Sequence, residues 1–225
     1  MSNQVTDKKI NNGMGEALFS DRERFEMWFT ENWKKTAIIA LGVVVVFSAA
    51  FGIAGHIKAK RIAGAAELSA ATTIDTLKAA LKKNSDNPAS SIARLRLANM
   101  LFDAEKYTDA IEYLNAIAAD KNADQMLVNT AKLNIAKALE LSGKLEESAD
   151  AFSKCAAASG DNMSIKAEAA FGAARLYAKL GKTAKALAEI NNIKSSVKDA
   201  MMNPYVAEAA SLEVAILNKE YGKIQ

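Results

Sequence analysis

LANMLFDAEKYTDAIEYLNAI, Leu97–Ile117, carries the pattern from which the fold is read. It returns without gaps as IAKALELSGKLEESADAFSKC, Ile135–Cys155, and as AARLYAKLGKTAKALAEINNI, Ala173–Ile193. Each copy starts 38 residues after the one before. A fixed period of this size marks a helical solenoid, in which one helix pair cannot bury its apolar face alone and stacks on the next. Within each copy a first helix carries a small residue where its neighbour comes close: Ala98 after Leu97, then Ala136 and Ala174. A turn follows at Glu105, Gly143 and Gly181, and glycine is suited to ending a helix in a left-handed conformation. Tyr107, Leu145 and Thr183 come next, then the small residues Ala110, Ser148 and Ala186 at the tightest point of the second helix. That helix presents Leu114, Phe152 and Ile190 and closes with Ile117, Cys155 and Ile193.

This alternation of small and large positions is the tetratricopeptide (TPR) pattern. Its usual period is about 34 residues. The extra residues fall in the loops between repeats, DKNADQ (120–125) and SGDNMS (159–164). Asn87-Pro88 and Asn203-Pro204 each read as an Asn cap with Pro at the first helical position. Pro88 is expected to open the first helix of the first repeat. Pro204 is expected to open a capping helix, PYVAEAASLEVAILNKEY, over 204–221. Upstream, 58–87 reads as one long lead helix, with Gly64 as a possible bend and Asn84-Ser85-Asp86 as its end.

Composition agrees with an all-α chain and excludes much chemistry. The 225 residues include 2 Pro, 11 Gly, 1 Cys and 1 His. One cysteine forbids an internal disulfide, and one histidine leaves little for triads or zinc sites. Lys and Arg total 29 against 26 Asp and Glu, a net charge of +3 that makes no case for nucleic acid. There is no phosphate loop, no nucleotide motif and no cysteine pair for zinc. The reading is therefore no enzyme, no catalytic residue, no cofactor, no metal and no small-molecule substrate. Cys155 sits at a packing position and reads as a small buried hydrophobe. His56 reads as an interfacial residue, and Met201 and Met202 as filling a turn.

AIIALGVVVVFSAAFGIAG, Ala37–Gly55, has 19 residues without a charge. At ~1.5 Å per residue it reaches about 28 Å, close to the thickness of a bilayer core. Cations flank it: Lys34 and Lys35 before, Lys58, Lys60 and Arg61 after. The long preceding segment and the lack of a clear cleavage site favour an uncleaved signal anchor. Counting Arg22, Arg24, Lys34 and Lys35 against Lys58, Lys60 and Arg61 gives a narrow positive-inside bias toward a cytoplasmic N-terminus. Phe25, Trp28, Phe29 and Trp33 share one helical face, with charges largely opposite, so they and Lys34 and Lys35 form the expected membrane anchor. Ser48 and Gly52, with Gly55, form a weak helix-contact pattern. The expected organisation is thus a disordered cytoplasmic tail (1–20), an interfacial amphipathic helix (21–35), a transmembrane helix (36–57), the lead helix (58–87) and TPR-like repeats (88–225).

The order F-x-x-W-F-x-E-N-W-K-K, one span, then ARLRLANMLFDAEKYTDAIEYL (Ala93–Leu114) resembles the bacterial ancillary Sec-translocon subunit family (YfgM-like), over nearly the whole chain from about Phe25. The resemblance implies a single-pass protein of the inner membrane with its TPR-like domain in the periplasm. It implies protein partners, namely translocon subunits and periplasmic chaperones or exported chains, besides the lipid bilayer. It carries over no catalytic residues. The residues alone leave a tethered scaffold and a holdase for exported chains, while nothing in them supports an enzyme or a sensory subunit of one; the alternative to the translocon role is a holdase or a scaffold for another envelope complex such as a cell-division or outer-membrane assembly machine. A polar groove points to a specific partner, and a widely apolar groove to a holdase.

Overall fold

A computed structural model describes residues 21–196 and 203–218. The tail over 1–20, Met201 and Met202, and the end of the capping helix lie outside these residues. The described part is all-helical, without strands, and divides into two units, 1–60 and 61–225.

The first unit holds most of α1, Asp21–Ala70. From Arg22 to Lys60 its side chains are exposed, apart from half-buried Asn32 and Thr36. Its most apolar 18-residue stretch has a mean hydropathy of 2.6, and no protein covers it. By length and composition α1 can cross a membrane, a property that signal sequences share.

The second unit begins with the last turns of α1 and continues through α2 (Ile74–Lys83), α3 (Ser90–Asp103), α4 (Tyr107–Ala118), α5 (Gln125–Leu141), α6 (Leu145–Ala158), α7 (Met163–Lys179), α8 (Thr183–Ser196) and α9 (Pro204–Leu217). The expected lead helix is therefore two helices, broken at residues 71–73. Two interactions explain the break. Arg96 of α3 donates to the carbonyls of Leu68, Ser69 and Ala71, which satisfies the exposed acceptors at the end of α1. Thr73 then starts α2 with a capping box, exchanging hydrogen bonds with Thr76 at 3.2 and 3.0 Å. α1 runs through Gly64 without a break. A Cβ there would stand 2.5 Å from Asn84 Oδ1 and 2.7 Å from Asn87 Nδ2, so its lack of a side chain admits the α2–α3 connection. Asn87 Nδ2 uses that room to reach the Arg61 carbonyl at 2.8 Å. Glu67, one turn on, binds Asn84 and Lys83, and these two donors hold its carboxyl below the usual pKa.

α3 starts two residues later than Pro88 suggested. Asn87 accepts from the Ala89 N–H at 3.0 Å and its carbonyl from Ser90 at 2.8 Å, so a tight turn precedes the helix proper. At Asn203-Pro204 the capped start is as read, with Asn203 accepting from Tyr205 N–H at 3.0 Å.

α3/α4, α5/α6 and α7/α8 are the three hairpins, each closed by three residues. In each connection the middle residue has positive φ: 57° at Glu105, 78° at Gly143 and 71° at Gly181. The N–H of the following lysine (Lys106, Lys144, Lys182) returns to the carbonyl of Leu101, Leu139 or Tyr177 at 2.8–2.9 Å. These are Schellman motifs. The same lysine carbonyl accepts the first bond of the second helix, from Ala110, Ser148 or Ala186. One residue thus ends one helix and starts the next. Ala98, Ala110, Ala136, Ser148, Ala174 and Ala186 have no exposed surface. The Ser148 hydroxyl donates to the Ala136 carbonyl across the hairpin at 2.7 Å. Leu97, Leu101, Leu114 and Ile117 fill a core with Leu68, Leu77 and Leu81, while Phe152, Cys155, Leu176, Ile190 and Ile193 fill a second beneath α9.

Among the described residues only Glu105 adopts the left-handed conformation with a Cβ, at a cost of about 1 kcal/mol. Glu105→Gly is expected to raise stability by roughly 0.5–1 kcal/mol, whereas Gly143→Ala or Gly181→Ala lowers it by about 1 kcal/mol. Thermal unfolding of the full chain in detergent reads these opposite signs; a destabilised Glu105→Gly chain contradicts the strain argument.

Candidate protein-interaction face

Neighbouring first helices, α3 with α5 and α5 with α7, approach one another more closely than neighbouring second helices do. The first helices thus form one side of the array. On that side Lys137 of α5 pairs with Glu168 of α7 at 2.6 Å. Arg175 of α7 places one nitrogen 2.7 Å from each oxygen of Glu140. All four side chains keep a quarter to two-fifths of their surface exposed. Beyond them Phe171 packs against Tyr205 of α9, with ring centroids 5.8 Å apart. Burial, followed by the charges of Glu168 and Glu208, raises the Tyr205 pKa. The face over α5, α7 and α9 is thus a band of paired charges bordered by aromatic rings.

The second helices are tied by a separate network. Tyr177, nearly buried, donates to Asp150 at 2.7 Å, and Lys185 sits 4.9 Å from the Tyr177 ring and 3.6 Å from Asp150. Lys182 pairs with Glu146, and Ser153 with the buried Glu189. The Tyr177 bond chiefly lowers the Asp150 pKa, while burial and then Asp150 push the phenol up.

The residues singled out as packing positions lie inside the hairpins or at their turns. Leu97, Ala98, Ala110, Leu114, Ala136, Ser148, Phe152, Ala174 and Ala186 are buried; Gly143 and Gly181 are exposed turns; Tyr107 is half-buried, edge-on to Phe102 at 5.7 Å. Cys155 is 1 % exposed, its thiol against the Asn129 carbonyl, and burial raises its pKa. On α1, Phe25 lies 6.3 Å from Trp28 and 6.1 Å from Phe29, and the Lys34 ammonium lies 5.9 Å from the Trp33 ring. All of these, with Lys35 and His56, are exposed. Among the described residues no group of three His, Cys, Asp or Glu side chains is placed to hold a metal.

The interacting charges were missed from sequence, although a signal exists. Some bonded partners across hairpins fall 35 or 36 residues apart, as in Glu140–Arg175, Glu146–Lys182 and Ser153–Glu189. That is the 38-residue period less about half to one helical turn.

Residues 74–125 match the family model described as a tetratricopeptide repeat. No curated protein and no solved structure was found to match the chain. The match spans α2 to the first residue of α5 and supports a TPR-like domain, a non-catalytic fold that binds proteins.

Because Asp150 titrates below its unfolded pKa, its contribution is full above the unfolded value and is lost as pH falls through the lowered one. Tyr177→Phe removes the main donor and is expected to cost about 1 kcal/mol near neutral pH. The gap between variant and parent should narrow between neutral pH and an acidic pH below the ordinary Asp value, where the carboxylate takes up its proton. Thermal unfolding at both pH values measures it; a gap that does not change with pH would assign the loss to packing.

Proposed function

We propose that this chain is a single-pass anchored scaffold that holds partner proteins on the first-helix side of its TPR-like array. The observation that carries this reading is the band formed by Lys137, Glu140, Glu168 and Arg175. A holdase needs a broad apolar groove, whereas paired, half-exposed charges favour a defined partner that exchanges or matches those pairs. The exposed, highly apolar α1 supports an anchor in the bacterial inner membrane. The cation balance about the run supports a cytoplasmic N-terminus and periplasmic repeats. The resemblance in the order of segments supports an ancillary role at the Sec translocon, with periplasmic chaperones or exported chains as the ligands of the repeats. In this reading 21–35 and 36–57 are the anchor and 88–225 the working domain.

Three measurements test it. The chain should stay in the membrane after carbonate extraction and keep its N-terminus; a soluble form beginning near residue 55 would make α1 a cleaved signal. A reporter active only in the periplasm should be active when fused after Gln225, and inactivity would reverse the topology. Ala110→Leu or Ala186→Leu should overpack a hairpin by about 1–3 kcal/mol and weaken crosslinks from the repeats to periplasmic partners while the anchor holds. Crosslinks to division or assembly proteins, with no Sec component, would retain the scaffold and remove the translocon.

A further inference from the structure

A cleft of about 550 Å³ opens at the start of α3. The α2–α3 connection (85–88) lines one part of it and the α4–α5 connection (119–124) another, with the first turns of α3 and Leu127 of α5 completing it. Its volume lies within the range of about 300–1,000 Å³ usual for ligand sites. From Asp124 to Lys137 is about 20 Å along the α5 axis, so the cleft is separate from the charged band.

The charges of the cleft do not cancel. Asp86, Asp120 and Asp124 line it, with Arg94 as the cation among the lining residues. Asp120 is committed: one oxygen accepts from the Ser91 hydroxyl at 2.8 Å and the other from the Asn122 N–H at 2.9 Å. Asp124 caps α5 through Oδ1, which accepts from the Met126 N–H at 2.8 Å. Asp86 Oδ1 meets the neighbouring Ser85 hydroxyl at 3.3 Å. The second oxygens of Asp86 and Asp124 have no hydrogen-bond partner among the described residues. Arg94 forms no ion pair among them; it donates to the Ser90 hydroxyl at 3.2 Å and the Ser85 carbonyl at 3.3 Å. Ser90 is 4 % exposed and lines the cleft, and its own proton has no acceptor among the described residues.

The Ser90 hydroxyl and the Arg94 guanidinium can thus serve an acceptor, and the free oxygens of Asp86 and Asp124 a cation. The excess of negative charge disfavours an anion, so the acceptor that fits is a neutral carbonyl. The carboxylates are not grouped to hold a metal. Ile92, 66 % exposed, and half-buried Leu127 add an apolar edge. An extended polypeptide brings main-chain carbonyls, a basic side chain and an apolar one at adjacent positions. We propose that the cleft takes a short extended segment of a partner protein, with a main-chain carbonyl on Ser90 and Arg94 and a lysine or arginine side chain drawn to Asp86 and Asp124.

The full chain in phosphatidylcholine nanodiscs is titrated into dye-labelled acetyl-Gly-Leu-Lys-Leu-Gly-amide, and into the same peptide with norleucine or glutamate at the centre. Fluorescence anisotropy should show the lysine peptide binding about tenfold tighter than the norleucine peptide, as one charge-assisted contact provides, and the glutamate peptide weakest. Asp86→Asn with Asp124→Asn should abolish that preference, and asparagine retains the α5 cap. Ser90→Ala should weaken the lysine and norleucine peptides by the same factor. Asp161→Asn, in the α6–α7 loop, should change nothing. A photoreactive phenylalanine analogue at Ile92 should crosslink to the lysine peptide, and one at Lys137 should not. Binding weaker than about 1 mM, equal affinity for lysine and norleucine, no loss with Ser90→Ala, or an equal loss with Asp161→Asn would each overturn the proposal. Crosslinking at Lys137 and not at Ile92 would place the segment on the charged band, overturning this site while keeping the scaffold.

Discussion

Two helices joined by three residues can pair only if their backbones come almost into contact, and this constraint shapes everything after residue 88. The Ser148 hydroxyl, 2.7 Å from the Ala136 carbonyl, gives the scale of that approach. Ala98 with Ala110 and Ala174 with Ala186 hold the same register positions. A larger side chain there would separate the pair and expose the leucines and isoleucines beneath. The reversal itself needs one residue of positive φ, and the lysine after it serves both helices, so the hairpins share one geometry despite little identity in sequence.

A common hairpin geometry makes the stacking regular, and regular stacking brings side chains of successive hairpins together. The first-helix side receives Lys137–Glu168 and Glu140–Arg175, and Asp150 of α6 meets Tyr177 of α7 and Lys185 of α8. Half-exposed pairs of this kind add little to stability. Their weight lies in what they present: a patterned polar surface.

The start of the repeat unit depends on one arginine. Arg96 spans from α3 to the carbonyls at the end of α1, and Thr73 restarts the chain as α2 two residues after the last of them. Glu67, Asn84 and Asn87 complete the junction around Gly64. A glycine that looked like a flexible point is a point of close approach.

Local pattern alone determined that the chain is all-α, that three hairpins recur every 38 residues, that Gly143 and Gly181 are turns and that Ala37–Gly55 is apolar enough to cross a membrane. These properties depend on neighbours within a turn or two, or on a period, and both can be read along a line. Tertiary structure alone decided that Glu105 takes the left-handed turn without being glycine, that the lead helix breaks before Thr73 and that Glu140 meets Arg175. Each of these is settled by partners 25 to 35 residues away, or by a turn whose closure the surrounding packing imposes on an unsuited residue. Such contacts have no counterpart in local spacing until the stacking register is known.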